Sequence, residues 1–144
     1  MQKACLLARW AVARGLLGDA SMDNSNEITQ RIIGCAIDVH KALGPCLRER
    51  SYEDALALEF EPQEIGFDRQ PVVGVTYRNH CVGEYRIDFV VERAVVVEVK
   101  SVARFDPVFE AQIFGYLRAS GLHLGLLLNF NSARLADGVK RYIR

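Results

Sequence analysis

Three charged side chains lie within a valine-rich stretch of the sequence, Tyr85–Val102. Asp88, Glu98 and Lys100 are residue types that are seldom fully buried unless they are paired. The surrounding valines predict strands that enter a protein core. The charges therefore either lie on a solvated face or are kept for a chemical purpose.

The apolar residues of this stretch predict how its two strands pair. Alternate side chains of a strand share a face, so Glu98 and Lys100 lie together. A two-residue loop would pair Asp88 with Val97 and mix the faces. A three-residue loop at 92–94 would instead place Asp88 directly opposite Glu98. We predict the three-residue loop, which gathers on one apolar face Ile87, Phe89, Val91, Val95, Val97 and Val99.

Two carboxylates opposite each other on a sheet repel, and a proton, a cation or a metal ion relieves the repulsion. Lys100 can neutralise one charge but leaves most carboxylate lone pairs unsatisfied. Mg²⁺ prefers a few carboxylate oxygens together with waters. The alternative is a solvated salt-bridge cluster on a half-exposed face, a pattern common by chance. These three residues alone favour that alternative.

Two further polar pairs occur at helical spacing. Glu49 and Tyr52 are separated by three positions, and Gln112 and Tyr116 by four, so each pair shares a helix face. Taken singly, each pair is explained by a buried tyrosine whose hydroxyl has a partner. We expect both helices to pack on the same sheet and to bring the two pairs to one cleft.

The elements that must position these residues follow from periodicity and from helix-ending residues. A first helix is predicted from about Asn26 to Leu43 and a second from about Leu47 to Phe60. Strands are predicted at Val72–Tyr77, Val82–Val91 and Val95–Val99. Further along the chain we predict a helix after Pro107, a buried strand in "LHLGLLLNF", and a helical turn or edge strand in "DGVKRYIR". This order indicates one α/β domain with a mixed sheet.

Composition narrows the class of protein without identifying it. The 144 residues carry 18 basic and 18 acidic side chains, so net charge gives no sign of a nucleic-acid partner, although a local basic patch would suffice. The 4 scattered cysteines predict reduced thiols and a cytoplasmic protein. No apolar run approaches the length of a membrane span. The oligomeric state cannot be derived.

The first residues of the chain are expected to stand apart from this domain. Residues 1–24 are predicted to form a weakly ordered extension, and residues 25–144 the folded domain. The first twenty residues could mimic a targeting peptide. We favour Met22 as the true start, because "MDNSNEIT" opens a well-marked helix.

Four segments resemble, in order, the GxxExxY proteins, a group within the PD-(D/E)xK nuclease superfamily. They are "LGPCLRERSYEDALALEF", "RQPVVGVTYRNHCVGEYRIDFVVERAVVVEVKSV", "FEAQIFGYLRASGLHLGLLLNF" and "GVKR". The resemblance covers roughly Ile28 to the C-terminus. It implies a restriction-endonuclease-like core, a mixed four-stranded sheet flanked by helices.

The resemblance also implies roles for the polar residues. Asp88 and Glu98 would be metal ligands, with the Val99 carbonyl completing the site, and Lys100 the catalytic lysine. Glu49 would be a helical carboxylate near the metal. The remaining members of the implied site are Gln112 and Tyr116, which resemble the Q-x-x-x-Y element of RecB-like nucleases.

Two positions depart from the family pattern. Cys46 replaces the first glycine of the naming motif, which puts a backbone role for that glycine in doubt. Phe109 stands where many members have a histidine, which removes one polar group at the edge of the site.

The function implied is a phosphodiesterase acting on DNA or RNA with Mg²⁺ or Mn²⁺. Substrate contacts are expected from Tyr52 and from three arginines, Arg69, Arg86 and Arg104. One alternative is a non-catalytic module that keeps the fold and binds nucleic acid or a protein. Another is a structural subunit in which the charges form only a salt-bridge patch.

Overall fold

A computed structural model of the chain describes residues 22–144. The predicted extension at residues 1–24 therefore lies outside the described residues, apart from residues 22–24, which belong to the first helix. Whether Met22 is the true start is likewise not addressed by the described residues.

Within residues 22–144, three α-helices flank a five-stranded sheet. Helix α1 spans Met22–Leu43, α2 spans Glu49–Phe60 and α3 spans Pro107–Ser120. Helix α3 begins at Pro107, as predicted, and is capped at both ends. The side chain of Asp106 accepts a hydrogen bond from the Val108 N–H at 2.9 Å, and Gly121 ends the helix with φ 69°. These two caps fix where α3 lies along the sheet.

The main sheet has the strand order β1-β4-β5-β6-β7, and a separate two-stranded sheet contains β2 and β3. Only β5 and β6 run parallel within the main sheet, so it is mixed. The restriction-endonuclease-like core is confirmed, with five strands instead of the four expected. The strands are β1 (Phe67–Arg69), β2 (Val72–Tyr77), β3 (His80–Arg86), β4 (Phe89–Val91), β5 (Val95–Lys100), β6 (Leu124–Asn129) and β7 (Val139–Ile143).

A single long hairpin connects the two sheets. The pairing of Arg69 with Phe89 and of Val72 with Arg86 follows one continuous register. The ladder is interrupted between them, where Pro71 has no N–H to donate and only its carbonyl accepts, from the Ile87 N–H at 3.1 Å. The predicted strand Val82–Val91 is therefore wrong as one element, because the chain bends at this interruption.

The main sheet has an apolar core on each face. One core lies under α1 and α2 and contains the alternating residues Phe89, Val91, Val95, Val97 and Val99. The other lies under α3 and the β2–β3 hairpin and contains Val90 and Val96. Ile87, expected with the first group, packs in the second. That prediction fails because strict alternation ends at the bend before β4.

The C-terminal segment forms a 3₁₀ helix at Leu135–Gly138 followed by edge strand β7, one of the two predicted outcomes. Within the described part of the chain, no helix combines the length and the apolar character needed to cross a membrane. The three described cysteines form no disulfide with one another.

Candidate functional site

Asp88 lies at the bend of the long hairpin, immediately before β4. Its backbone carbonyl accepts a hydrogen bond from the Gln70 N–H at 2.8 Å, and its side-chain Oδ2 accepts one from the Val99 N–H at 2.8 Å. Phe89 pairs with Val97, so the same register brings Asp88 opposite Glu98. The predicted three-residue loop is confirmed.

Glu98 and Lys100 share the face of β5 beneath α3, and both are buried. Glu98 is 5% exposed and Lys100 is 9% exposed. The Lys100 Nζ lies 3.2 Å from Glu98 Oε1, and its other side faces the ring of Phe109, 4.6 Å from the ring centroid. Glu98 Oε2 is buried with no hydrogen-bond partner among the described residues. The half-exposed charge cluster considered from the sequence is therefore contradicted.

The two carboxyl groups hold their protons more tightly than usual. Burial raises the pKa of Glu98 to about 8, and the nearby Asp88 carboxylate adds to the effect. Burial also raises the pKa of Asp88 to about 6, against the opposing effect of the Val99 N–H. Both shifts mean that two negative charges at this place lack sufficient compensation.

Helix α3 supplies Tyr116 and Gln112, as predicted. Burial, followed by the charges of Glu98 and Asp88, raises the pKa of Tyr116, while a hydrogen bond with the Gln112 side chain lowers it. Tyr85 from β3 packs edge-on against Tyr116, with ring centroids 5.2 Å apart. The neutral phenol of Tyr116 thus covers the carboxylate pair on the side of α3.

Helix α2 packs on the same sheet as α3, as expected, but on its opposite face, so the two polar pairs do not meet in one cleft. Its first residue, Glu49, is exposed and lies at the C-terminal end of β5. Glu49 Oε1 accepts a hydrogen bond from the Ser101 N–H at 3.4 Å, and its charge raises the pKa of both Asp88 and Glu98. Glu49 therefore joins the site at its open edge.

Tyr52 does not reach the site, because it is fully buried in the core under α1 and α2. Its hydroxyl donates to the Gly44 carbonyl at 2.5 Å and accepts from the Leu47 N–H at 3.1 Å. Its ring stacks on Phe130 with centroids 4.5 Å apart. The predicted substrate contact is thus corrected to a structural role in holding the loop before α2.

The three arginines expected to contact substrate have different surroundings. Arg69 forms ion pairs with Glu53, at 2.9 Å, and with Asp54, so its charge is already compensated. Arg86 is exposed, with one long contact of 3.5 Å to the Gln70 side chain. Arg104 is exposed in the loop between β5 and α3. The structure leaves Arg86 and Arg104 accessible to a phosphate and engages Arg69 within the protein.

Glu53 is a site neighbour that the sequence analysis missed. It is 6% exposed, and its Oε1 accepts hydrogen bonds from Arg69 and from Gln70 Nε2, each at 2.9 Å. Its charge raises the pKa of Asp88. The signal was available, since Glu53 follows Glu49 by four positions and so lies on the same helix face.

Cys46 keeps the backbone conformation that a glycine would favour. Its φ is 76°, in the left-handed region, two residues after Gly44 with φ 67°. Its N–H donates to Asn131 Oδ1 at 3.1 Å. The left-handed conformation is strained for a residue that carries a Cβ, so Cys46 occupies a position that glycine would occupy without strain.

Substituting Cys46→Gly is expected to raise the free energy of unfolding by about 0.5–1 kcal/mol. Glycine relieves a left-handed conformation that costs other residues roughly 1–2 kcal/mol, less the greater freedom of glycine in the unfolded chain. Chemical denaturation of both proteins measures the change. Gly44→Ala serves as the reciprocal control and should lower stability. A destabilised Cys46→Gly protein would show that the thiol side chain contributes more than the strain.

The donor set fits a divalent cation in part. Among the described residues, no three His, Cys, Asp or Glu side chains are grouped in a way that suits a metal ion. Asp88 and Glu98 nevertheless offer hard oxygen donors in a buried place, and Glu98 Oε2 lacks a partner there among the described groups. An Mg²⁺ ion binds one or two protein carboxylates and retains waters, so two converging carboxylates match its usual coordination.

Comparison with known proteins agrees with this arrangement. A family model, that of the PD-(D/E)XK nuclease superfamily, matches residues 26–142. No curated protein and no solved structure gives a significant match.

Proposed function

The chain belongs to the PD-(D/E)XK nuclease superfamily, and from this premise we propose that it hydrolyses phosphodiester bonds of nucleic acid with a divalent cation. One observation carries the proposal. Glu98 is buried and Asp88 is half-buried, the pKa of each carboxyl group is raised, and Glu98 Oε2 has no partner among the described residues. Such a pair is costly unless a cation or a proton compensates it.

Asp88 and Glu98 would hold the cation, Mg²⁺ or Mn²⁺, with the Val99 carbonyl and Glu49 as further oxygen donors. When bound, such a cation acidifies a water and neutralises charge on a phosphate. The Val99 N–H holds Asp88 Oδ2 in place at 2.8 Å, so this carboxylate is oriented in advance. Glu49 is exposed, so its carboxylate lies where substrate would enter.

Lys100 would stabilise the charge that develops on the phosphate oxygens. Its ammonium is held between Glu98 Oε1, at 3.2 Å, and the face of Phe109, at 4.6 Å. An ammonium positioned before the reaction stabilises a developing anion without having to reorganise. Gln112 and Tyr116 would support this arrangement from α3, since the charges of Glu98 and Asp88 act on the Tyr116 hydroxyl.

Nucleic acid would be bound by exposed basic residues around the site, with Arg86 and Arg104 as the arginines still accessible. Net charge of the chain is zero, so phosphate binding would rely on this local arrangement. We also place the protein among the GxxExxY group of the superfamily. The Glu49–Tyr52 spacing supports this, as does the left-handed conformation at Cys46, where the group has glycine.

A non-catalytic binding module is the second candidate. It is favoured by the lack of a third converging metal-ligating side chain in the part of the chain that the structure describes. Such a module would use the same basic residues for nucleic acid and would leave Glu98 protonated at neutral pH.

Titration with Mn²⁺ separates the two candidates. The wild-type protein is expected to bind Mn²⁺ and to cleave single- or double-stranded DNA or RNA, and Asp88→Asn should weaken binding by at least about tenfold and abolish cleavage. Isothermal calorimetry and gel assays with labelled strands measure these quantities. Asp68→Asn, an exposed aspartate on β1, is the matched control. Absence of Mn²⁺ binding and of cleavage in the wild-type protein would favour the module.

A further inference from the structure

The segment Asn129–Asn131 at the end of β6 contacts both the end of β5 and the chain around the start of α2. Asn129 is 4% exposed, although it is polar and ends a strand otherwise built of leucines and glycine. Its Oδ1 accepts a hydrogen bond from the Val102 N–H at 3.0 Å, and its Nδ2 donates to the Val102 carbonyl at 3.0 Å. The side-chain amide thus mimics a backbone partner beyond the last residue of β5.

This two-way bridge fixes the residue next to Val102, which is Ser101. The Ser101 hydroxyl donates to the Leu47 carbonyl at 2.6 Å, and the Ser101 N–H donates to Glu49 Oε1 at 3.4 Å. Ser101 directly follows Lys100, so one residue joins the strand of the candidate catalytic lysine to the start of α2. The same serine bonds to both the backbone and the carboxylate of the approaching chain.

The other two residues of the segment hold the preceding loop. Phe130 stacks on Tyr52, whose hydroxyl bonds to Gly44 and Leu47. Asn131 Oδ1 accepts from the Cys46 N–H at 3.1 Å. The loop before α2 is therefore fastened at several points to the ends of β5 and β6.

We propose that Ser101, itself held by Asn129, is the residue that positions Glu49 against the Asp88–Glu98 pair. Helix α2 begins without a side-chain cap at Arg48, so its own sequence does not fix the start of the helix. Glu49 is also exposed and lies on the other side of the sheet from α3. The hydrogen bonds from Ser101 to Leu47 and Glu49, here called the Ser101 clamp, supply the constraint that the helix lacks.

The consequence for a cation rests on the proposed function. If Glu49 is the outer donor of the cation site, then loosening it should weaken cation binding without altering Asp88 or Glu98. Ser101 and Glu49 would then act as one unit, and Ser101 would be a positioning residue.

Hydrogen exchange on the cation-free protein tests the clamp itself. Ser101→Ala removes the bond to the Leu47 carbonyl, so amide exchange at residues 46–51 should quicken by about tenfold, the value of one lost hydrogen bond. Exchange within β4 and β5 should be unchanged. Ser101→Thr retains a hydroxyl and should restore protection. Unchanged exchange at 46–51 in Ser101→Ala would overturn the proposal, and this arm is independent of any bound cation.

A double-mutant cycle tests the role in cation binding. Ser101→Ala is expected to raise the Mn²⁺ dissociation constant by about 5–10-fold, and to have no further effect when Glu49→Gln is already present. Ser51→Ala, an exposed serine on α2, should leave the affinity unchanged. Additive effects of the two substitutions, or an equal loss in Ser51→Ala, would overturn the positioning role.

Failure of the proposed function gives a different result. A wild-type protein that binds no Mn²⁺ would refute the cation site, while the exchange measurement would still support or overturn the clamp. Neither the exchange measurement nor the Mn²⁺ titration requires an Asn129→Ala variant, which would remove the buried hydrogen-bond partner of Val102.

Discussion

Replacing Glu98 with glutamine is expected to raise the free energy of unfolding of the cation-free protein at about pH 9 by roughly 2–4 kcal/mol. At this pH the wild-type fold must hold a buried carboxylate beside Asp88, whereas glutamine has nearly the same shape without the charge. Each unit of pKa difference between folded and unfolded states corresponds to about 1.4 kcal/mol, and the two carboxyls share one repulsion. Chemical denaturation in the presence of a chelator measures the gain.

The gain should depend on pH in a definite direction. The pKa of Glu98 is raised from 4.5 to about 8, so the folded state binds the proton more tightly than the unfolded state does. The stability that protonated Glu98 contributes is fully present below about pH 4.5 and is lost as the pH rises through 8. The pKa of Asp88 is raised from 3.8 to about 6, so Asp88 adds a loss of stability over the lower part of this pH range. Wild-type stability should therefore fall from about pH 4 to 8, and Glu98→Gln should fall less.

Added Mn²⁺ should reverse the order of the two proteins at high pH. A cation that binds only the folded state stabilises it by mass action, so wild-type stability should rise with Mn²⁺ while Glu98→Gln should not respond. Glu84→Gln, an exposed position on β3, is the control for a change of net charge. A gain in Glu98→Gln that is equally large at pH 5 and pH 9 would contradict the ionisation argument. A wild-type protein insensitive to Mn²⁺ would indicate a structural charge patch.

The alternation of valines around Glu98 was sufficient to predict the central geometry of the site. Because one register alone gathers the apolar residues on one face, the pairing that brings Asp88 opposite Glu98 followed from hydrophobic burial. Helix α3 was equally predictable, since Pro107 lies in its first turn and Gly121 follows its last. Local signals of this kind act over a few residues and can be read without knowing the rest of the fold.

The parts that could not be predicted depend on contacts between distant segments. The bend at Asp88 arises where Pro71 lies across from Ile87, sixteen positions away in the chain. Periodicity could not show that Tyr52 points into the core, because a residue at this helical spacing can lie in a core or in a cleft. Ser101 and Asn129 carry no pattern of their own, and their roles arise only when the end of β6 meets the start of α2.

Phe109, which departs from the pattern that the sequence resembles, lies against the ammonium of Lys100. A histidine there would add a titrating group beside Lys100. The phenylalanine instead offers the negative face of its ring to the ammonium at 4.6 Å, which attracts a cation without introducing a further proton-binding group. Lys100 is consequently held from both sides, by Phe109 and by Glu98.

Replacing Lys100 with methionine is expected to lower the cleavage rate by about 10²–10³-fold or more and to strengthen Mn²⁺ binding. Methionine fills a similar volume under Phe109 but has no charge to stabilise the phosphate oxygens. The ammonium also lies 3.2 Å from Glu98 Oε1, so in the wild-type protein it competes with a cation for that carboxylate. Removing it frees the carboxylate, which is why affinity and rate should change in opposite directions. Calorimetric titration and single-turnover cleavage measure the two quantities.

Lys100→Arg provides the matched comparison, since it retains the charge and alters the geometry. It should bind Mn²⁺ with about the wild-type affinity, because the charge repulsion is kept, and should recover only part of the cleavage rate, because the planar guanidinium cannot occupy the same place between Phe109 and Glu98. Weaker Mn²⁺ binding in Lys100→Met than in the wild-type protein would contradict the competition between ammonium and cation. It would mean that Lys100 holds Glu98 in place for the metal, and that the catalytic role must be sought in another side chain of the site.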